Sequence, residues 1–266
     1  MCTVNTLFFT DDKNPPHLLK RENTYDTIKM YVADGGDRMI KAVVFDLDHT
    51  LFDRYETLRS VVPQFKYGFK IAEGITDEYI YEQISWADKQ YVHRGWTEIF
   101  AHLCNCGIFA EEPTYEEYVE YLVSLFKKTA VIYPFTISVL TEIREQGFKV
   151  GLITNGIHST QSAKIDVLGI RDCFDSIIIS GDTPYSKPEA GVFRLMADNL
   201  QVDVTEMIYV GDHPKFDVDG SRKAGCTPVW VRTTGTWIFP EIEKPLLQID
   251  SVEELPSITK RICPIG

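Results

Sequence analysis

Short, continuous hydrophobic runs recur along the chain, and each predicts a strand that is buried on both faces. They lie at residues 42–45, 148–153, 176–180, 207–210 and 228–231. Runs of this length are typical of parallel strands that have helices on both sides of the sheet. Helical patterns separate most of them, so the alternation predicts an α/β fold with a Rossmann-like, doubly wound parallel sheet.

Residues 54–133 interrupt this alternation, because their apolar residues recur with helical spacing only. The apolar positions that set this spacing include Leu58, Val62, Phe65, Ile80 and Ile84. Thr114 and Glu117 form the capping box of a further helix. We therefore predict an all-helical cap domain at 54–133, inserted into a catalytic core made of residues 39–53 and 134–266.

Two further helices are expected in the core. Residues 136–146 would bury Ile137, Leu140 and Ile143 on one face, and Pro188 would be the first residue of the second helix. Residues 1–38 carry turn signals without an apolar period, so we expect a loosely ordered N-terminal extension there.

Composition narrows the class of protein. The chain has 266 residues, 44% of them hydrophobic and 25% charged, which is an ordinary balance for a globular protein. The formal net charge of −12 disfavours nucleic acid and anionic membranes as partners. No apolar stretch approaches the roughly 20 residues of a membrane span. The N-terminus is too polar for a signal peptide, and six scattered cysteines without a C-x-x-C pair favour reduced thiols, so we expect a cytoplasmic protein.

Four polar patterns follow four of the predicted strands. They are DLDHT at 46–50, TNG at 154–156, KP at 187–188 and GD at 211–212, with Asp217 five residues further on. In open α/β sheets the carboxyl edge of the strands is where ligands bind. Each pattern alone is common in ordinary turns, but their order and their shared edge predict one catalytic site.

The chemistry of this set indicates a metal and a phosphoryl group. Asp46, Asp48 and Asp212 would converge, and two carboxylates about 4 Å apart repel by about 4 kcal/mol at an effective dielectric constant near 20. They therefore need a cation, and oxygen ligands favour Mg²⁺ over Zn²⁺. Lys187 adds fixed positive charge, while the Thr154 hydroxyl and backbone N–H groups can hold phosphate oxygens. This combination suits phosphoryl transfer.

The D-x-D-x-T, T-N-G, K-P and G-D-x-x-x-x-D patterns together resemble the four motifs of the haloacid dehalogenase superfamily, over about residues 40–255. The helical insert resembles the cap of its small-metabolite phosphatases. The resemblance implies that Asp46 is the nucleophile and a Mg²⁺ ligand. Asp48 would be the general acid and base, with its backbone carbonyl on the metal.

The remaining motif residues receive supporting roles from the same resemblance. Thr154 and Asn155 would bind phosphate, and Lys187 would neutralise the nucleophile and the transferring group. Asp212 would complete the metal site. Asp217 would support that site or hold Lys187, and Thr50 closes the first motif as a supporting residue.

Asp48 also separates two chemistries. The alkoxide that leaves a phosphomonoester needs a proton, whereas a halide does not. An acid at this position therefore favours phosphatase activity on a small phosphorylated metabolite over carbon–halogen cleavage. A phosphomutase and a non-catalytic protein that binds a phosphorylated metabolite remain as alternatives.

Substrate selectivity is expected to come from the cap. The candidates for substrate contact are Arg54, Tyr55, His93, Arg94 and Trp96, and among them Arg54 and Arg94 are assigned to substrate binding. Each has an ordinary interpretation as a packing or surface residue. The sequence leaves the natural substrate and the oligomeric state open.

Overall fold

The computed structural model describes residues 39–91, 96–234, 237 and 239–262. Six parallel strands form one sheet in the order β3-β2-β1-β4-β5-β6. The strands are β1 Ala42–Phe45, β2 Lys149–Thr154, β3 Ser176–Ile179, β4 Met207–Gly211, β5 Thr227–Val231 and β6 Leu247–Ile249. The predicted fold class, a Rossmann-like parallel sheet, is confirmed.

β1 lies in the centre of the sheet, and all four of its residues are buried. Side chains alternate between the two faces of a strand. Val43 and Phe45 accordingly pack into one hydrophobic cluster, while Ala42 and Val44 pack into a second cluster on the opposite face. Burial on both faces explains why this strand reads as an uninterrupted hydrophobic run.

Among the described residues between β1 and β2, the regular elements are helices alone, apart from isolated bridges, as the sequence predicts. Within this insert the helices are α1 Arg54–Val61, α2 Phe65–Gly68, α3 Asp77–Tyr91, α4 Trp96–Asn105 and α5 Tyr115–Thr129. Thr114 and Glu117 form the predicted capping box before α5. The core helices are α6 Thr136–Glu145, α7 His158–Val167, α8 Ala190–Leu200, α9 Gly220–Ala224 and α10 Leu255–Ile262.

Two details of the helix predictions were wrong. Ile137 is 47% exposed, because the inner face of α6 is formed by Val139, Leu140 and Ile143 instead. Pro188 is not the first residue of a helix, since α8 begins at Ala190. The chain turns before the helix, where the Glu189 N–H donates to the Ser186 carbonyl at 2.8 Å.

Some predictions concern residues that the structure does not describe, namely the extension at 1–38 and the cap residues His93 and Arg94. Among the described residues, none of the helices is both long and apolar enough to cross a bilayer.

Candidate active site

The parallel register brings the predicted motifs to one edge of the sheet. Phe45 of β1 is in register with Leu152 of β2 and with Val210 of β4. The Asp46 N–H donates to the Val210 carbonyl at 2.9 Å, so Asp46 extends the central strand by one residue. Thr154 ends β2 on one side, and Asp212 follows β4 on the other. The carboxyl ends of three adjacent strands therefore carry the predicted groups, as this sheet topology favours.

Asp46 is buried between a cation and a hydroxyl group. The Lys187 Nζ donates to its Oδ1 at 2.5 Å, and the Thr50 Oγ1 donates to its Oδ2 at 3.2 Å. Burial raises the pKa of Asp46 to about 7, although Lys187 acts in the opposite direction. The side chain is thus a desolvated carboxyl group whose ionised form depends on nearby positive charge.

Lys187 is held in place by Asp217. Its Nζ donates to the Asp217 Oδ1 at 2.7 Å, and the other oxygen of Asp217 accepts the His213 N–H at 2.9 Å. A Cβ atom at Gly211 would lie 2.5 Å from the Asp217 Oδ2, so only glycine leaves room for this carboxylate beside the strand end. Of the two predicted roles for Asp217, the contacts match the holding of Lys187.

Three buried carboxylates gather at this edge and fit a divalent cation. One oxygen from each of Asp46, Asp212 and Asp217 lies within 4.8 Å of the others. Burial, together with the charges on Asp217 and Asp46, raises the pKa of Asp212 well above its usual range. An oxygen-only ligand set of this density suits Mg²⁺.

The Asp48 carboxylate is directed to a different cation, which the sequence did not indicate. Lys164 of α7 donates from its Nζ to both oxygens, at 2.6 and 2.7 Å, and the Gln161 Nε2 donates to Oδ2 at 3.1 Å. Burial alone would raise the pKa of Asp48, but Lys164 and the more distant Arg54 together lower it below its usual range. Asp48 is therefore held as a carboxylate in this state.

A count of charges supports the metal assignment. Asp46, Asp48, Asp212 and Asp217 carry four negative charges when ionised, and two lysines among the described residues contact them, Lys164 and Lys187. The set is left with a charge of −2, which one divalent cation balances.

The two predicted phosphate-binding residues have different surroundings. The Thr154 hydroxyl accepts a short hydrogen bond from Gln161 Nε2. The Asn155 side chain instead pairs with the Lys187 backbone: its Oδ1 accepts the Lys187 N–H at 3.0 Å, and its Nδ2 donates to the Lys187 carbonyl at 2.9 Å. Asn155 thus fixes the backbone of Lys187, the residue before Pro188.

Arg54 is anchored inside the helical insert. Its Nε and Nη2 donate to the Asp88 Oδ1 at 2.9 and 2.8 Å. The guanidinium also lies over the rings of Trp96 and Phe126, at 4.8 and 5.4 Å from their centroids. These contacts tie α1 to α3, α4 and α5, so the candidate substrate ligand Arg54 has a structural role in the described state. Arg94 lies outside the described residues.

Three polar residues at or near the site were missed from the sequence: Gln161, Lys164 and Asp88, all of them buried. A signal for the first two was available in α7. This helix connects two core strands, yet its sequence HSTQSAKIDV has few apolar residues to form a buried face. A helix that must pack but lacks an apolar stripe indicates that polar side chains are buried for another purpose.

Comparison with known proteins finds a family model and relatives that match most of the chain. A family model described as haloacid dehalogenase-like hydrolase matches residues 43–231. The glyceraldehyde 3-phosphate phosphatase of Methanopyrus kandleri is 29% identical over 206 residues, which cover 73% of this chain and 84% of the relative. The N-acylneuraminate-9-phosphatase of Mus musculus is 27% identical over 251 residues, which cover 85% of this chain and 96% of the relative.

A solved structure gives the same result at the level of the fold. The crystal structure of a HAD phosphatase from Thermococcus onnurineus superposes with a TM-score of 0.55 at 28% sequence identity, covering 82% of this chain and 97% of that one. The family match spans the strands that carry all four motifs, from Asp46 to Asp217. Sequence, topology and site therefore agree: the chain belongs to the haloacid dehalogenase-like hydrolase family.

Proposed function

We propose that this protein is a Mg²⁺-dependent phosphatase that hydrolyses a small phosphomonoester through an aspartyl phosphate on Asp46. One observation carries the proposal: the buried Asp46 carboxylate lies between the Lys187 ammonium group and a cluster with Asp212 and Asp217. A carboxylate that is desolvated and held by a cation is suited to nucleophilic attack on phosphorus. Two of its relatives are named phosphatases, which supports the same class of reaction.

The first step forms the covalent intermediate. Asp48, a carboxylate beside Lys164 in the described state, would take up a proton as the ester binds. A carboxylate oxygen of Asp46 then attacks phosphorus, the bond between phosphorus and the ester oxygen breaks, and that oxygen leaves with the proton from Asp48. In the second step water attacks the phosphorus, Asp48 takes the proton from this water, and the bond to Asp46 breaks. Inorganic phosphate leaves and both aspartates return to their starting states.

Asp46, Asp212 and the backbone carbonyl of Asp48 would hold Mg²⁺. When bound, the ion supplies positive charge that reduces the repulsion between the carboxylates and the phosphoryl oxygens. Asp217 has both carboxylate oxygens in hydrogen bonds, to Lys187 and to the His213 N–H, so we assign it to the support of Lys187.

Phosphate would be held from the side of β2. Since the Thr154 oxygen accepts from Gln161, its own hydroxyl hydrogen is available for a phosphate oxygen. Lys187 would contact the transferring group while Asn155 keeps its backbone in position. We therefore assign Asn155 to positioning and Thr154 to direct binding.

The helical insert would supply selectivity. We propose that residues 39–53 and 134–266 form the catalytic core, with the cap at 54–133 between them. A small phosphorylated metabolite is the proposed substrate, in keeping with the names of two relatives. We also propose a cytoplasmic location, because the four described cysteines are free thiols.

The test is the release of inorganic phosphate from 4-nitrophenyl phosphate in Mg²⁺. Asp46→Asn should abolish turnover, and EDTA should abolish it reversibly in the unaltered protein. Asp198→Asn, at an exposed position of α8, is the matched control and should keep full activity. Undiminished activity of Asp46→Asn would reject the proposed nucleophile. Phosphate that is retained while substrate is consumed would favour a phosphomutase.

A further inference from the structure

We propose that Lys164 and Gln161 are positioning residues, which together hold the Asp48 carboxyl group and the Thr154 hydroxyl in the orientations that the reaction uses. This inference rests on the proposed phosphatase function, because it gives these α7 side chains a part in the same site. It adds a second ammonium group to a site in which the motifs contain only Lys187.

The contact of Lys164 with Asp48 joins distant parts of the chain. The two residues are 116 positions apart in sequence, and the Lys164 Nζ lies 2.6 and 2.7 Å from the two Asp48 oxygens. Lys164 is 5% exposed, and its ammonium group lies 5.3 Å from the centroid of the Phe52 ring. Burial removes hydration and side-chain freedom from the lysine, so its ammonium group is held in one place. Its charged contact with both oxygens of one carboxylate therefore fixes the orientation of that carboxylate.

Gln161 connects the two reacting sides of the site. A carboxylate only accepts hydrogen bonds, so the Gln161 atom that faces Asp48 must be Nε2, at 3.1 Å from Oδ2. The same nitrogen donates to the Thr154 hydroxyl, which therefore acts as the acceptor. The hydroxyl hydrogen of Thr154 is thereby directed away from Gln161. One amide group thus sets the orientation of both side chains.

The surroundings of α7 bury this pair of residues on one face of the helix. Gln161 and Lys164 are three positions apart, so they lie on the same face of the helix. Both are buried, and Ile165 next to them belongs to the main hydrophobic core. A Cβ atom at Gly156 would lie 2.9 Å from the Gln161 Cγ, so the glycine of the TNG motif leaves space for this side chain.

The consequence for the reaction is specific. General acid catalysis matters most when the leaving oxygen is strongly basic, and it requires the acid to be correctly placed. The charge of Lys164 also lowers the pKa of Asp48, so loss of Lys164 alone would favour the protonated acid. If the placement of Asp48 by Lys164 and Gln161 outweighs this effect, then their loss should harm esters with basic leaving groups more than esters with weakly basic ones. A residue that supports the fold alone should affect both kinds of ester equally.

The test compares phenyl phosphate with 4-nitrophenyl phosphate, which share the phenyl ester group but differ in the basicity of the phenolate that leaves. Replacement of the general acid is expected to cost about 10²- to 10⁴-fold, so Lys164→Met, which keeps a chain of similar length, should lower kcat/KM for phenyl phosphate by about 10- to 100-fold. The loss for 4-nitrophenyl phosphate should be about tenfold smaller. Lys164→Arg should recover part of the activity, since arginine also contacts both oxygens of a carboxylate.

Two further variants make the result decisive. Asp48→Asn with Lys164→Met should be no slower on phenyl phosphate than Asp48→Asn alone, because both changes remove the same function. Lys127→Met is the matched control: Lys127 also contacts α7, with its Nζ 3.4 Å from the Ser159 Oγ, but it has no described bond to Asp48. Lys127→Met should keep the ratio of kcat/KM values for the two esters that the unaltered protein has.

An equal loss on both esters, or additive losses in the double variant, would overturn the inference. That outcome is separable from a failure of the proposed function. If only this inference fails, Asp46→Asn is inactive while the loss in Lys164→Met shows no dependence on the leaving group. If the proposed function fails, Asp46→Asn remains active on both esters.

Discussion

Replacement of Asp212 by asparagine should stabilise the metal-free protein while it removes the response to Mg²⁺. The Asp46, Asp212 and Asp217 oxygens lie within 4.8 Å of one another, which corresponds to a repulsion of about 3 kcal/mol per pair at an effective dielectric constant near 20. Asp212 is repelled by two such neighbours, Asp46 and Asp217, and the positive charge of Lys187 offsets about one of these two repulsions. The relief expected from Asp212→Asn is therefore about 3 kcal/mol.

The dependence on pH gives the sign of this effect. Burial and the charges of Asp217 and Asp46 raise the pKa of Asp212 above its value in the unfolded chain. An acid with a raised pKa destabilises the fold as pH increases from the unfolded pKa, near 4, through the folded pKa. In EDTA the unaltered protein should therefore lose stability relative to Asp212→Asn as pH increases above about 4.

The assay is thermal unfolding of both proteins at pH 7.5, in EDTA and then in saturating Mg²⁺. For a chain of this size, each kcal/mol shifts Tm by about 2–4 °C. Asp212→Asn should melt several degrees above the unaltered protein in EDTA, and Mg²⁺ should stabilise only the unaltered protein. Asp198→Asn is again the control for removal of an exposed charge. A lower Tm of Asp212→Asn in EDTA, or equal stabilisation by Mg²⁺, would refute the reasoning.

Two more predictions concern the buried polar contacts beside the site. Burial lowers the pKa of His49 to about 4, although Asp88 opposes this, so stability should be lost as pH falls from about 6.5 towards 4. Asparagine tolerates the left-handed backbone of His49, with φ of 63°. Between about pH 7.5 and pH 4.5, His49→Asn should therefore gain about 2.5 kcal/mol of stability relative to the unaltered protein, read from Tm against pH. Equal acid sensitivity would contradict this. Arg54→Met would leave the Asp88 carboxylate buried without its cation and should cost about 3–5 kcal/mol, measured by urea unfolding. Adding Asp88→Leu should restore much of that loss, and no restoration would reject the pairing.

Local signals were sufficient for most of the fold. Five of the six strands could be predicted from hydrophobic runs, because strands buried on both faces need continuous apolar residues. The motif residues could be placed at one edge because parallel strands end there. The missed strand, β6, has only three residues and lies at the edge of the sheet, where the pattern is too short to distinguish.

Long-range pairing explains what the sequence did not reveal. Lys164 meets Asp48 across 116 positions, and Arg54 meets Asp88 across 34, so no local period links the partners. The prediction that Pro188 is the first residue of a helix was also wrong. A proline favours the first turn of a helix, but here Pro188 lies in a turn closed by the bond from the Glu189 N–H to the Ser186 carbonyl, and α8 begins at Ala190.

The charge balance of the site has a consequence for turnover. With a net charge of −12, the chain repels phosphorylated metabolites at long range, so attraction must arise locally. Two lysines and the proposed divalent ion would only balance the four aspartates and would leave no surplus positive charge. A phosphomonoester would then be selected by directed hydrogen bonds, such as that from Thr154, and not by excess charge. Surplus positive charge would bind the phosphate product as strongly as the substrate, which would increase binding without increasing the rate.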